Sequence, residues 1–259
     1  VFGSILLKTS FPLKKVNEYS QNYLKPIMAI RYSPNNTKNI SDKDVRLNYN
    51  NIFSLNRIGT NEIVEGGKSV SLGLEYEKRN LLDKKIIGFN IANSISGKKN
   101  NNLPTKSKLN ETRSDFVGSL SYNPNDILNF DYNFSYDNNL DGSNYDSVSA
   151  SINVNNFVTN FNFISEDGEI GNNEIITNTT TFKLNNENNL KFKTSKDLKN
   201  DFTEYYNLIY SYETDCLIAS AEFNKKFYRD GSLVPDKSLL FTIRFIPFAE
   251  LKPAATSLN

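Results

Sequence analysis

Side chains that could carry out catalysis are scarce in this sequence, which contains no histidine. Without histidine, a serine nucleophile lacks its usual general base, and the commonest metal ligand is missing. The carboxylates are scattered through loops and turns without a convincing pair. Neither a glycine-rich phosphate loop nor a cluster with metal-ligand spacing occurs. We therefore expect neither an enzyme nor a bound cofactor.

The overall composition is that of a single domain or a large part of one. The 259 residues include 30 Lys and Arg against 29 Asp and Glu, and no basic stripe favours a nucleic-acid partner. No apolar run approaches the ~20 residues that a membrane-spanning helix requires. The first residues lack the basic start and cleavage site of a secretory signal. We expect the chain to begin inside a larger protein, or to lack its leader and upstream part.

Strict alternation of apolar and polar residues is the strongest structural signal. In the segment Leu128–Tyr136, every second residue is large and apolar or aromatic, and the residues between them are small and polar. Successive side chains of a β-strand point to opposite faces, so such a strand has one apolar and one polar face. A transmembrane β-barrel requires this arrangement, with lipid outside and water or a polar plug inside.

Similar segments predict about thirteen strands. The turns between them alternate between short and long, as in outer-membrane barrels. Short turns are expected at 123–126, 185–188 and 213–215, and longer polar loops at 137–144, 166–173 and 229–236. The strands are expected at about Phe2–Phe11, Leu24–Ser33, Gly67–Lys78, Lys84–Ser96, Arg113–Tyr122, Asp126–Tyr136, Tyr145–Asn155, Phe157–Ser165, Glu174–Leu184, Leu190–Lys196, Asp201–Tyr212, Cys216–Tyr228 and Lys237–Phe248.

Strand length separates a barrel from a soluble β-sandwich. Sandwich strands average about 5–6 residues, whereas most strands predicted here have roughly 8–13, close to the 9–11 that cross a bilayer. We therefore predict an all-β chain that forms an antiparallel transmembrane β-barrel, with about twelve or thirteen strands of a larger wall present. Residues 1–248 are assigned to the barrel and 249–259 to a C-terminal tail.

Three residues conflict with this pattern. Asn178, Thr180 and Lys225 fall on the apolar side of their strands. A cation at the bilayer midplane costs about 2–4 kcal/mol but little near the interface. Lys225 therefore indicates a position near the outer rim, a bulge or a misassigned register.

A long polar loop, Pro34–Gly66, is the main candidate for a functional segment, because loops of this length are usually functional or disordered. We hypothesise that it folds into the barrel lumen or caps it, with Arg57 in an ion pair. A solvated loop charge is the equally open alternative for Arg57 and Glu65. Arg229 and Asp230, in the last outer loop, could contact sugar or phosphate of a lipid, or form a plain turn salt bridge.

Several stretches resemble the LptD family of outer-membrane lipopolysaccharide-assembly proteins, specifically the C-terminal half of its barrel. The most specific are the loop motif with Asn51, Phe53, Asn56 and Arg57, and the hairpin around Cys216. Others are Leu24-Lys25-Pro26, Glu65-Gly66-Gly67, Gly73-Leu74, Phe227-Tyr228-Arg229-Asp230 and Pro247-Phe248. The resemblance covers essentially the whole chain.

The resemblance implies a passive transport device in the outer membrane of a Gram-negative bacterium. In this family a barrel of about 26 strands receives lipopolysaccharide from a periplasmic bridge protein of the LptA type, through an N-terminal domain not contained in this sequence. An LptE-type lipoprotein plugs the lumen. The lipid leaves sideways between the first and last strands, so Lys237–Phe248, with Leu239, Phe241, Ile243 and Phe245, would form one lip of that seam.

Cys216 lies in a predicted tight turn where the family carries cysteine, often two in succession. The resemblance implies a disulfide to the N-terminal domain, and the single Cys here permits at most one such bridge. The other interpretation is a small apolar residue at a strand start. An oxidising compartment favours the bridge.

Two other functions share part of these patterns. A diffusion porin or substrate-selective channel would have the same wall but no lumenal lipoprotein and no cysteine turn. A soluble β-rich binding protein would be recovered without detergent.

Overall fold

The computed structural model describes residues 3–59, 64–166, 173–227, 236–246, 249–251 and 256–257. These residues form β-strands and one short 3₁₀ turn, Lys106–Lys108. The strands are β1 (Ile5–Ser10), β2 (Leu13–Val16), β3 (Gln21–Ser33), β4 (Gly67–Arg79), β5 (Lys85–Ser96), β6 (Phe116–Tyr122), β7 (Leu128–Tyr136), β8 (Ser143–Val154), β9 (Phe157–Glu166), β10 (Asn173–Lys183), β11 (Asn188–Asp197), β12 (Phe202–Glu213), β13 (Leu217–Lys226), β14 (Lys237–Phe245), β15 (Ala249–Leu251) and β16 (Thr256–Ser257).

All strands belong to one sheet, in the order β1–β3–β4 and then consecutively to β15. β2 pairs with β3 and β16 pairs with β14. The described ladders are antiparallel, which confirms the predicted all-β antiparallel fold. Among the described residues, no helix has the length and apolar character needed to span a bilayer.

The chain divides into two compact units. The first comprises residues 1–125, 130–148 and 165–172, and the second comprises residues 126–129, 149–164 and 173–259.

In the first unit, β3 separates two faces by parity. Ile27, Ala29 and Arg31 are almost fully buried, whereas Met28 and Ile30 between them are 36% and 40% exposed. The buried residues face the two long loops 34–66 and 97–115, and we call this side of β3–β5 the covered face. The opposite side, the apolar face, includes the row Ile30–Val70–Ile95 across β3, β4 and β5.

The core of this unit therefore lies between the sheet and its loops. Its members come from three strands, which contribute Ile27, Ala29, Ala92 and Val117, and from the loops, which contribute Ile40, Leu47, Ile52, Phe53, Ile58, Leu103 and Leu109. Strand positions on the covered face are small or moderate in size because loop side chains supply the remaining volume.

In the second unit, the apolar residues that alternate along β12 lie opposite apolar residues of β11. Leu208 pairs with Phe192 of β11, and Tyr210 pairs with Leu190. The rings of Phe192 and Tyr206 stack with centroids 6.0 Å apart. Such neighbouring pairs on one face are the units that stabilise a sheet.

Asn178 and Thr180 do lie on the apolar side of β10, where Thr180 is opposite Phe192. They are not isolated, because Thr159 of β9 completes a polar trio. The Asn178 amide donates to Thr159 Oγ1 at 2.9 Å, and the two threonine hydroxyls are 2.8 Å apart. Internal hydrogen bonds reduce the cost of polar groups in an apolar surface.

Lys225 lies at the loop end of its strand, opposite Lys237, the first residue of β14. Its Nζ is 4.4 Å from the ring centroid of Phe227. Of the three explanations offered for this cation, the structure therefore supports a position at the strand end.

Several predicted bounds differ from the structure. β2 is a strand that the sequence did not indicate, because Pro12 interrupts the alternation between it and β1. β6 begins at Phe116 rather than Arg113, because side chains bond to the backbone just before it. The Asn93 amide donates to the backbone oxygens of Ser114 and Asp115, and the Ser114 hydroxyl accepts from the Ser94 N–H. β14 ends at Phe245, and 247–248 lie outside the described residues. β15 and β16 fall in the segment expected to be a tail.

Candidate functional site

The loop motif of Asn51, Asn56 and Arg57 forms a compact turn held by side-chain amides. The Asn51 amide donates to the backbone oxygens of Arg46 and Arg57, at 2.9 and 3.2 Å, and Asn51 Oδ1 accepts from Asn48 N. Asn56 Oδ1 accepts from the backbone N–H groups of Ile58 and Gly59. Asn side chains favour such turns because they mimic backbone groups.

This turn inserts Phe53 into the covered face. The Phe53 side chain is 6% exposed and packs edge-on against Tyr49, with centroids 5.6 Å apart. Gly73 provides the space, because a Cβ there would come within 2.5 Å of Phe53 Cζ and 3.0 Å of the Ala92 Cβ. Phe53 therefore fixes the loop on β4 and β5.

Next to Phe53, Arg31, Arg57 and Glu65 form a buried ion cluster. Arg57 Nε donates to Glu65 Oε2 at 2.9 Å, and its Nη2 donates to Oε1. Arg31 of β3 donates to Glu65 Oε1 at 2.7 Å and to the Glu65 backbone oxygen at 2.6 Å. Arg57 Nη1 also donates to Ser94 Oγ of β5 at 2.6 Å. Both side chains of the Arg57–Glu65 pair are at most 3% exposed.

The two glycines after Glu65 are required by the path of the backbone. A Cβ at Gly66 would lie 1.9 Å from the backbone oxygen of Asn35, and the Gly66 N–H donates to Thr37 Oγ1 at 2.9 Å. Gly67 has φ +100°, a conformation that L side chains rarely adopt. These requirements explain the sequence Glu65-Gly66-Gly67 and place the carboxylate between the two arginines.

A cavity of about 190 Å³ lies beside the ion cluster, at the loop end of β3–β5. Its lining includes the polar or charged residues Arg31, Tyr32, Glu65, Lys68 and Lys98. The apolar residues Leu103 and Leu109 of the second loop also line it. Arg31 Nε is buried without a hydrogen-bond partner among the described residues.

A second ionic network ties the two loops to β9. Lys106 Nζ contacts Asp44 and Glu166 at 2.5 and 2.6 Å, and Arg46 contacts Glu166 at 2.5 Å. Arg46 also stacks on the Tyr145 ring, 3.9 Å from its centroid. The Lys106 hydrogen bond lowers the pKa of Asp44.

Asp115 is a buried carboxyl between the second loop and β6. Its Oδ2 accepts from Ser135 Oγ at 3.0 Å and from the Asn144 amide at 2.8 Å. Oδ1 has no partner among the described residues. Burial raises the pKa of Asp115, and the hydrogen bonds from Asn144 and Ser135 only partly oppose that shift.

The other predicted site residues lie apart from this cluster. Cys216 is exposed in the turn before β13 and has no disulfide partner among the described residues. Leu239, Phe241, Ile243 and Phe245 lie on one face of β14, and Phe241 is 54% exposed. Arg229 and Asp230 fall outside the described residues.

Sequence reasoning missed Arg31, Ser94, Lys106 and Asp115. Arg31 had a usable signal, because it continues the parity of Ile27 and Ala29 and so belongs to the same face of β3. Lys106 and Asp115 had none, since their partners are far away in the sequence.

Comparison with protein families identifies the chain. The sequence profile of the LPS transport system D (LptD) family matches residues 5–214. The chain belongs to the LptD family. Its members function in lipopolysaccharide transport and assembly rather than in catalysis, and the whole ion cluster lies within the matched range. No curated protein matches the chain.

Within the part of the chain that the structure describes, no group of three His, Cys, Asp or Glu residues could hold a metal ion. The covered face of this LptD-family chain carries charge on arginine, lysine and carboxylate groups.

Proposed function

We propose that this chain forms part of an outer-membrane wall through which lipopolysaccharide passes into the outer leaflet. Residues 1–248 would be the C-terminal part of the barrel. Its apolar face contacts hydrocarbon, and its covered face lines the interior. The family match carries this proposal, and the contrast between the exposed Met28 and Ile30 and the buried Ile27 and Ala29 supports it.

The route begins at a periplasmic bridge protein of the LptA type, which delivers lipid through an N-terminal domain. An LptE-type lipoprotein occupies the lumen. The lipid leaves between the first and last strands, at the edge of β14 that carries the short strands β15 and β16. Such a seam opens at low cost only where few ladder hydrogen bonds join the strands, because lipid cannot satisfy exposed backbone groups. Cys216 forms a disulfide with the N-terminal domain in the complete protein.

The half-exposed charges on the covered side of β3 and β4 support a hydrated interior. Lys25 pairs with Glu75, and Arg79 pairs with Glu77 at 2.6 Å, with 27–37% of each of these side chains exposed. We assign this partly exposed charged surface to contact with the lipoprotein.

Depletion of the full-length protein tests this function directly. We expect newly made lipopolysaccharide to accumulate before the outer leaflet, and a small lipoprotein to co-purify with the detergent-extracted protein. Cysteines placed on β14 and on the first barrel strand should crosslink. Normal lipopolysaccharide export together with ion conductance by the purified protein would instead identify a porin. Recovery without detergent would exclude the membrane assignment.

A further inference from the structure

The ion cluster carries an excess of positive charge. Arg31 and Arg57 share one carboxylate, that of Glu65, so the three described side chains together have a charge of plus one. All three are at least 96% buried. A buried charge without a counterion is costly in a medium of low dielectric constant. An anion in the adjoining cavity would reduce this cost.

Two lysines line the same cavity and have no carboxylate partner among the described residues. The Lys68 stem lies against Gly97, where a Cβ would be 2.7 Å from the Lys68 Cε. Lys98 follows Gly97 directly. The neighbouring Lys99 differs, because it pairs with Glu111 at 2.5 Å and does not line this cavity. Among the described residues, both cavity-wall lysines therefore lack a carboxylate partner, unlike Lys99.

The cavity lies where the apolar face meets the loops. Lys68 pairs with Tyr32 across β3 and β4, and both continue the parity of the apolar row Ile30–Val70–Ile95. In that row Ile30 is 40% and Ile95 is 45% exposed. In a membrane, this is the level at which acyl chains end and head groups begin.

We propose that this cavity, with Lys68, Lys98 and the Arg31 guanidinium, binds a phosphate group of a lipid whose acyl chains lie along the Ile30–Val70–Ile95 row. Phosphate fits because its several oxygens accept charge-assisted hydrogen bonds from ammonium and guanidinium groups together. The proposal rests on the proposed function, which makes phosphorylated lipopolysaccharide the lipid present. It assigns a contact to the outer wall, separate from the interior route.

The test uses the full-length protein with its lipoprotein, in detergent, titrated with lipopolysaccharide and with the same lipid after enzymatic removal of its phosphates. Native mass spectrometry measures the bound lipid. We expect the unaltered protein to bind the phosphorylated form at least about tenfold more tightly, from two charge-assisted contacts. The double variant Lys68→Gln/Lys98→Gln should lose that preference. The matched control Lys14→Gln/Lys15→Gln, which removes two charges from β2, should keep it.

Equal affinity of the unaltered protein for both lipids would overturn the inference, as would a preference that survives in Lys68→Gln/Lys98→Gln. Inorganic phosphate that displaces the lipid at equal concentration would also overturn it, because the site would then select free phosphate. A variant that loses the lipoprotein without changing the lipid preference would indicate a protein contact instead. If neither lipid binds at all, the proposed function itself fails.

Discussion

The ring of Phe53 lies directly over Gly73, and the contact leaves no room for even one additional carbon on the strand. The loop 34–66 therefore depends on a residue in β4 that has no side chain. Two distant parts of the sequence have to match in shape at this point, which suggests a simple test of how the loop is held.

Replacing Gly73 with Ala should force Phe53 outward and destabilise the protein by about 1–3 kcal/mol, the usual cost of overpacking. Urea unfolding followed by tyrosine fluorescence measures the change. The additional substitution Phe53→Leu should recover part of the loss, because it shortens the opposing side chain. Gly142→Ala is the control, since a Cβ there meets nothing within 4 Å. Equal midpoints for both glycine variants would contradict the contact.

Removing the charge of Glu65 should be among the most damaging single changes in this unit. Glu65→Gln leaves Arg31 and Arg57 buried without a carboxylate, and breaking such pairs costs about 3–5 kcal/mol. Glu111→Gln is the matched control, because the Lys99–Glu111 pair is 53% and 37% exposed and should contribute at most about 1 kcal/mol. The free energies of unfolding of the two variants would decide. Similar values would mean that the Glu65 pair is hydrated.

The stability contributed by Asp115 should depend on pH in an unusual direction. Its folded-state pKa is raised by burial above the ordinary 3.8. The stability that Asp115 contributes is therefore fully present below the ordinary pKa of 3.8 and is lost as pH rises through the folded-state pKa. The free energy of unfolding of Asp115→Asn, relative to that of the unaltered protein, should therefore rise between about pH 3 and pH 8. Unfolding midpoints across that range measure the trend.

Asp44 provides a control of opposite sign. Lys106 lowers its pKa, so its contribution is present above 3.8 and is lost as pH falls through the lower folded-state value. At neutral pH, Asp44→Asn should have a lower free energy of unfolding than the unaltered protein. The difference should be small, because the Asp44 side chain is 63% exposed and screened by solvent. The same direction for both variants would refute the assignment of Asp115 as a carboxyl disfavoured by burial.

If one face of β14 contacts lipid, lysine substitutions at adjacent positions of this strand should differ in their cost. Phe241→Lys places a cation on the exposed apolar face and should cost about 2–4 kcal/mol near the bilayer midplane. Thr242→Lys places it on the other face and should be tolerated. Folding yields of the full-length protein in lipid vesicles measure the difference. Equal yields would argue that this face of β14 does not meet hydrocarbon.

The strands could be predicted because their signal is local. Tyr206, Leu208 and Tyr210 alternate within one segment, and their register with β11 follows the same parity. The loop motif was also identified, and Arg57 is in an ion pair as hypothesised. Asn178 and Thr180 conflicted with the alternation because their hydrogen bonds involve Thr159 on another strand.

The partners within the site could not be predicted because they join distant parts of the sequence. Arg31 and Glu65 are 34 residues apart, and Arg46 and Glu166 are 120 residues apart. The sequence singled out the loop 34–66 but not the loop 97–115, which supplies Lys106 and Asp115. A polar loop has no periodicity from which its packing against a sheet could be inferred.

The covering of β3, β4 and β5 by loop 34–66 also has a consequence for local opening. The loop and the sheet form two layers here, joined by the Phe53 contact and by hydrogen bonds of the loop with Ser71 and Ser94. Opening of the loop has to break the Phe53 contact and the Arg57 hydrogen bonds together, so we expect slow hydrogen exchange in this part of the sheet.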